Sequence, residues 1–147
     1  MTSQPLQRYD VHELWYAMLP RGWVSLAVVS PGRTPKTLRL ARSLAELGTQ
    51  SLGRLVELLN ATEVDVTFVA GVKERFARSG WTPTVVPHQF VVALDSPIVN
   101  PLAIGVITAC DSALLLLLRG QTTISSARRT IELIGRERLL GAVIASD

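Results

Sequence analysis

Val24-Ser25-Leu26-Ala27-Val28-Val29, then Ser30-Pro31-Gly32-Arg33-Thr34-Pro35-Lys36-Thr37, then Leu38-Arg39-Leu40-Ala41-Arg42-Ser43-Leu44-Ala45-Glu46-Leu47-Gly48 is the stretch on which the fold turns. An apolar run, a short loop and an amphipathic pattern closed by glycine predict a strand, a tight loop and a helix. That order is the setting of a phosphate-binding loop, where backbone N–H groups at a helix start close round an anion. The full motif asks for glycine at its first position and just before its lysine. Ser30 and Pro35 hold those places here, and proline has no N–H to offer. Lys36 and Thr37 remain where a lysine would reach terminal phosphates and a hydroxyl would hold magnesium. The frame is kept and the cradle is not.

A chain of 147 residues, 48% hydrophobic, has the size of a single domain over residues 1–147 and a core that needs no covalent staple. Its one cysteine, Cys110, has no partner for an internal disulfide, and there is no Cys/His cluster for zinc, which fits a reducing cytoplasm. The net charge of +3 is carried by scattered arginines with few aromatics between them, an argument against a nucleic-acid partner. Residues 1–15 lack the order of a signal peptide, and the longest apolar run, residues 113–118, is too short to span a bilayer. No direct membrane insertion is expected.

Along the chain, residues 10–19 predict a short helix with Asp10 as N-cap, Glu13 three positions on, and Val11, Leu14, Trp15 and Met18 at helical spacing. After the central unit, Leu52, Leu55, Val56, Leu58 and Leu59 predict a second amphipathic helix over residues 51–60, directly after the first with no strand between them. Residues 64–70, rich in β-branched side chains and ended by Gly71, predict a strand, and residues 73–79 a polar helix. Residues 81–87, with two prolines, predict a loop or edge segment.

The second half alternates more cleanly. Residues 90–94 form a continuous apolar run ending in Asp95-Ser96-Pro97, which suits a parallel strand buried on both faces. A helix over 100–109, a strand over 112–118, a helix over 122–135 capped by Thr122 or Thr123, and a strand over 140–145 follow. The whole predicts an α/β fold, an open and mostly parallel sheet with helices on both faces. Ligands of such sheets bind at the carboxyl ends of the strands, where Ser30, Asp95 and Arg119 would meet.

Leu94-Asp95-Ser96-Pro97-Ile98-Val99, Ala109-Cys110-Asp111, Leu117-Leu118-Arg119-Gly120-Gln121-Thr122 and Leu140-Gly141-Ala142-Val143-Ile144 resemble the second half of the bacterial tyrosine autokinases. These cytoplasmic domains of polysaccharide assembly are P-loop NTPase-like and belong with the deviant Walker ATPases of cell division and plasmid partition. The similarity spans residues 10–144, since Glu13-Leu14 and Val66-Thr67-Phe68-Val69-Ala70-Gly71 also fall where the family has counterparts. By this resemblance Lys36, Thr37 and Asp95 are the candidate nucleotide-binding residues, Asp95 matching a magnesium-linked aspartate.

The departures from the family are equally specific. Its loop reads glycine, any residue, glycine, lysine, where this chain has Arg33-Thr34-Pro35-Lys36. On this reading the family's next strand, ending in a catalytic aspartate, is lost. Tyr16 and Leu19 replace the arginines of its oligomerisation helix, Ala145 replaces an asparagine that contacts adenine, and Tyr9 and Tyr16 are the only tyrosines.

Each candidate also has a plain structural reading: Lys36 as a solvated first-turn residue, Thr37 as a helix cap, Asp95 in ordinary turn chemistry, Asp111 as a structural residue and Arg119 as a solvated one. The resemblance with its departures implies a catalytically inactive pseudokinase, a regulatory or scaffolding subunit of bacterial exopolysaccharide biosynthesis and export. It implies no catalytic residue, no bound metal and no firm cofactor, with weak ATP or ADP binding alongside magnesium left open. The implied partner is the cytoplasmic part of a membrane polysaccharide chain-length or export protein, which would recruit the chain to the inner membrane; a homo-oligomer is also left open. The alternative is an active ATP-binding ATPase or tyrosine kinase module completed by a partner chain.

Overall fold

The computed structural model describes residues 3–18, 21–52, 55–79 and 88–146. Among them helices and strands alternate in the order α1 (Ser3–Met18), β1 (Ser25–Val29), α2 (Lys36–Leu52), β2 (Leu55–Ala61), α3 (Val66–Ser79), β3 (His88–Leu94), α4 (Ala103–Ala109), β4 (Ser112–Leu118), α5 (Ile124–Ile134) and β5 (Leu139–Ala145). The strands make one five-stranded sheet, ordered β2-β3-β1-β4-β5, with every neighbouring pair parallel. From β1 the chain crosses to the β2 edge, and the next three connections run the other way. With right-handed crossovers that reversal places α2 on one face and α3, α4 and α5 on the other.

Two cores result, one on each face. Leu26 and Val28 of β1 pack with Trp15 and Met18 of α1 and with Ala41, Leu44 and Ala45 of α2. The alternate residues Ala27 and Val29 pack with Val72 and Phe76 of α3, Val106 and Ile107 of α4 and Ile134 of α5. β1 is therefore buried at every position, as a central parallel strand should be. The open parallel sheet covered by helices on both faces is the α/β fold class the sequence predicts.

One region differs. The helix expected over 51–60 is strand β2, and the strand expected over 64–70 is the first half of α3. The strand thought lost after the loop helix is thus present. β2 is built largely from leucines and a glutamate, good helix formers, but its ladder with β3 runs from Leu55↔His88 to Ala61↔Leu94 and overrides that preference. α3 opens on β-branched residues, yet Asp65 caps it: its Oδ1 accepts from Phe68 N at 2.8 Å.

Two helix ends also move. Gly48 does not close α2, which continues to Leu52; a Cβ at position 48 would lie 2.5 Å from the Trp15 ring and 2.8 Å from Val56. Glycine is there to let α1 and β2 approach the helix. α1 begins at Ser3, so Asp10 lies inside it and is not its N-cap. α5 keeps its expected ends, with Thr123 Oγ1 accepting from Ser126 N and Gly135 at the C-cap. The segment 81–87 and Leu19 lie outside the described residues. None of the described helices is long and apolar enough to cross a membrane.

Candidate functional site

The carboxyl edge of the sheet gathers the β1–α2 loop, Asp95 and Ser96 after β3, Arg119 after β4 and Ser146 after β5. Ser30, Asp95 and Arg119 share this edge, as the strand order requires. In the loop, Thr34 caps α2: its Oγ1 accepts from Lys36 N at 3.2 Å, and its carbonyl accepts from Thr37 N at 3.4 Å. Pro35 stands at the threshold of the helix, where a missing N–H leaves nothing unpaired. Thr34-Pro35 is a good helix start and a poor phosphate cradle, because donors that would meet an anion are already engaged within the loop.

The two cations of the loop are both engaged. Lys36 Nζ donates to the Ser146 carbonyl at 3.1 Å, which pulls it towards the end of β5. Arg33, 67% exposed at its side chain, places its guanidinium 3.6 Å from Asp95 Oδ2. Thr37 is buried at the first turn of α2. The structure thus brings Lys36, Thr37 and Asp95 to one edge, but Lys36 points its charge elsewhere and a residue not expected as a site member, Arg33, faces Asp95.

Asp95 is only 6% exposed, and its Oδ2 has no hydrogen-bond partner. Burial raises its carboxyl from the ordinary aspartate value; Arg33 opposes the shift and Glu63 adds to it. Its neighbour Ser96 is fully satisfied, donating to the Pro31 carbonyl at 2.6 Å and accepting from Ile98 N at 3.2 Å. This Ser-Pro turn pins the β1–α2 loop to the end of β3. Beside it, the Ser30 hydroxyl is buried and unpaired.

The strand that resemblance expects to end in an aspartate is β2, and it ends in Leu59-Asn60-Ala61. Asn60 Oδ1 accepts from the amide and the hydroxyl of Thr62, at 3.1 and 2.7 Å, so it serves a turn. Sequence reasoning missed this position because it missed the strand. Among the described residues no group of three or more His, Cys, Asp or Glu side chains is placed to hold a metal ion. A nucleoside triphosphate with magnesium does not fit this edge: the amides of Lys36 and Thr37 and the lysine ammonium are engaged, and Asp95 is the one buried carboxylate among the described residues. Two depressions on the described surface, of about 280 and 400 Å³, lie along α5 and between α2 and β2, away from it.

At the opposite edge, Asp111 Oδ2 accepts from Val24 N at 2.7 Å and Ser25 N at 3.3 Å, tying the start of β1 to the start of β4. That is a structural role. Cys110 is buried, and burial pushes its thiol up to about 12, so it is a poor nucleophile.

No protein-family model matches the chain, and no curated protein sequence matches it. Among solved structures it is similar to the BceF tyrosine kinase domain, with a TM-score of 0.60 at 16% sequence identity over 93% of this chain and 74% of that one. At that identity the likeness shows a shared fold.

Proposed function

We propose that the chain is a non-catalytic relative of the bacterial tyrosine autokinases, acting as a regulatory or scaffolding subunit of exopolysaccharide synthesis and export. The observation that carries this reading is the state of the loop cations: Lys36 is held on the Ser146 carbonyl, and Arg33 faces Asp95. Phosphoryl transfer needs phosphate charge neutralised by backbone donors, a lysine and magnesium held in line. Here the Lys36 amide is engaged by the Thr34 cap, the lysine ammonium is drawn aside, and the strand end that would supply an aspartate supplies Asn60. The fold shared with a domain named as a tyrosine kinase supports the family side of the reading. The partner is the cytoplasmic part of a membrane chain-length or export protein, which recruits this cytoplasmic chain to the inner membrane.

The test is incubation of the purified protein with ATP and magnesium. Neither phosphate release nor phosphotyrosine on Tyr9 or Tyr16 is expected. Magnesium-dependent turnover abolished by Lys36→Ala would overturn the reading. One observation favours a second reading, a nucleotide-dependent module completed by a partner chain: Asp95 Oδ2 is buried without a hydrogen-bond donor. That reading requires turnover to appear when the partner's cytoplasmic segment is added, and to vanish in Asp95→Asn.

A further inference from the structure

We propose that the corner formed by α5 and the bare face of β5 docks an acidic amphipathic helix of a partner protein. The inference does not depend on whether nucleotide binds. In the β4–β5 ladder, Ala142 pairs with Leu115 and Ile144 with Leu117, and both leucines point into the core shared by α3, α4 and α5. Paired residues of parallel strands face the same side, so Ala142 and Ile144 face the α5 side. Both are exposed, Ile144 at 65%. On the other face of the strand, Leu140 and Val143 pack against the α1–α2 core. A parallel strand is normally covered on both faces; on the α5 side β5 is covered only at its start, where Leu139 packs into the core, and Ala142 and Ile144 beyond it are bare.

The missing cover has a defined shape. α3, α4 and α5 share one face, and the place beyond α5, over β5, is the next in that layer. Along α5 runs a depression of about 280 Å³, lined by Ile124, Ala127 and Ile131 together with Arg128, Glu132 and Arg136. Ile124 is 79% exposed. The apolar residues recur over two turns, the pattern a helix presents to a second helix lying against it. Charge selects the occupant. Glu132 is already paired with Arg129 at 3.3 Å, whereas Arg128 and Arg136 have no acidic partner among the described residues. An occupant with an apolar stripe flanked by carboxylates covers the isoleucines and meets both arginines.

The test uses two stapled helical peptides of about 14 residues, each with a leucine stripe, one filled out with glutamate and the other with lysine, read by fluorescence anisotropy. The acidic peptide should bind and the basic one should not, and about 0.5 M salt should weaken the binding. Ile124→Asp, and separately Arg128→Glu with Arg136→Glu, should weaken it about tenfold or more. These side chains are exposed, and an unchanged melting temperature confirms that the variants fold. No binding, equal binding of both peptides, or binding indifferent to the substitutions overturns the proposal. So does a dimer in sedimentation that Ile144→Asp dissociates, since a second copy would then be the cover.

Discussion

The ammonium of Lys36 and the backbone carbonyl of Ser146 are 3.1 Å apart, so the first residue of α2 is tied to the chain just beyond β5. A charge-assisted bond of this kind stabilises by about 1 kcal/mol when partly exposed. Lys36→Met should lower unfolding stability by about that amount and speed hydrogen exchange at the end of β5, including the Arg119 amide, which donates to Ala145 O. Urea unfolding and amide exchange check both effects. A variant as stable and as protected as the parent would show that the lysine is not held there.

Asp95 makes stability depend on pH. Its folded carboxyl is raised above the usual value by burial, so the folded state binds the proton more readily than the unfolded chain does. The associated stability is therefore fully present below the unfolded value and lost as pH rises through the folded one. Asp95→Asn removes this dependence. The variant should melt higher than the parent at neutral pH, and the gap should narrow on acidification towards pH about 4. A variant less stable at neutral pH would mean that the ion pair with Arg33 outweighs desolvation.

Two glycines in helices should respond in opposite directions. At Gly48 a Cβ would lie 2.5 Å from the Trp15 ring, so Gly48→Ala should destabilise by about 1–3 kcal/mol and disturb the near-ultraviolet signal of the edge-on Trp15–Trp23 pair. At Gly71, inside α3, nothing lies within 4 Å, and Gly71→Ala should stabilise by up to about 1 kcal/mol. Chemical denaturation of the two variants side by side decides the matter.

The capping of α3 by Asp65 gives a further test. Asp65→Ala leaves the Phe68 amide without its acceptor and should cost about 1 kcal/mol. Asp65→Ser should recover most of it.

The central strand–loop–helix unit, the buried strands β3 and β4 and the edge strand β5 were legible because their apolar runs are bounded by turn and cap residues such as Asp95-Ser96-Pro97, Thr123 and Gly135. The exchange of helix and strand between Leu55 and Ser79 was not. β2 lies at an edge and is made of helix formers, and pairing with β3 decides its state; Asp65 was the one local signal for the helix that follows. Gly48 reads as a helix stop in sequence and as a packing site in space, since Trp15 is far away along the chain. Ser30, Asp95 and Arg119 lie on one sheet edge as the strand order implies, and the candidate residues Lys36, Thr37 and Asp95 lie along it too. What holds the two charged ones, the Ser146 carbonyl and the Arg33 guanidinium, depends on contacts that no local pattern encodes.

The central claim is that this edge no longer accepts a nucleotide, and the melting temperature in millimolar ATP and magnesium tests it most directly. A ligand that does not bind the native state cannot shift its unfolding equilibrium, so the expected result is a melting temperature unchanged by nucleotide, in the parent and in Lys36→Ala alike. A rise that saturates with ATP in the parent and is lost in Lys36→Ala would contradict the account, because it would show Lys36 leaving the Ser146 carbonyl to hold a phosphate.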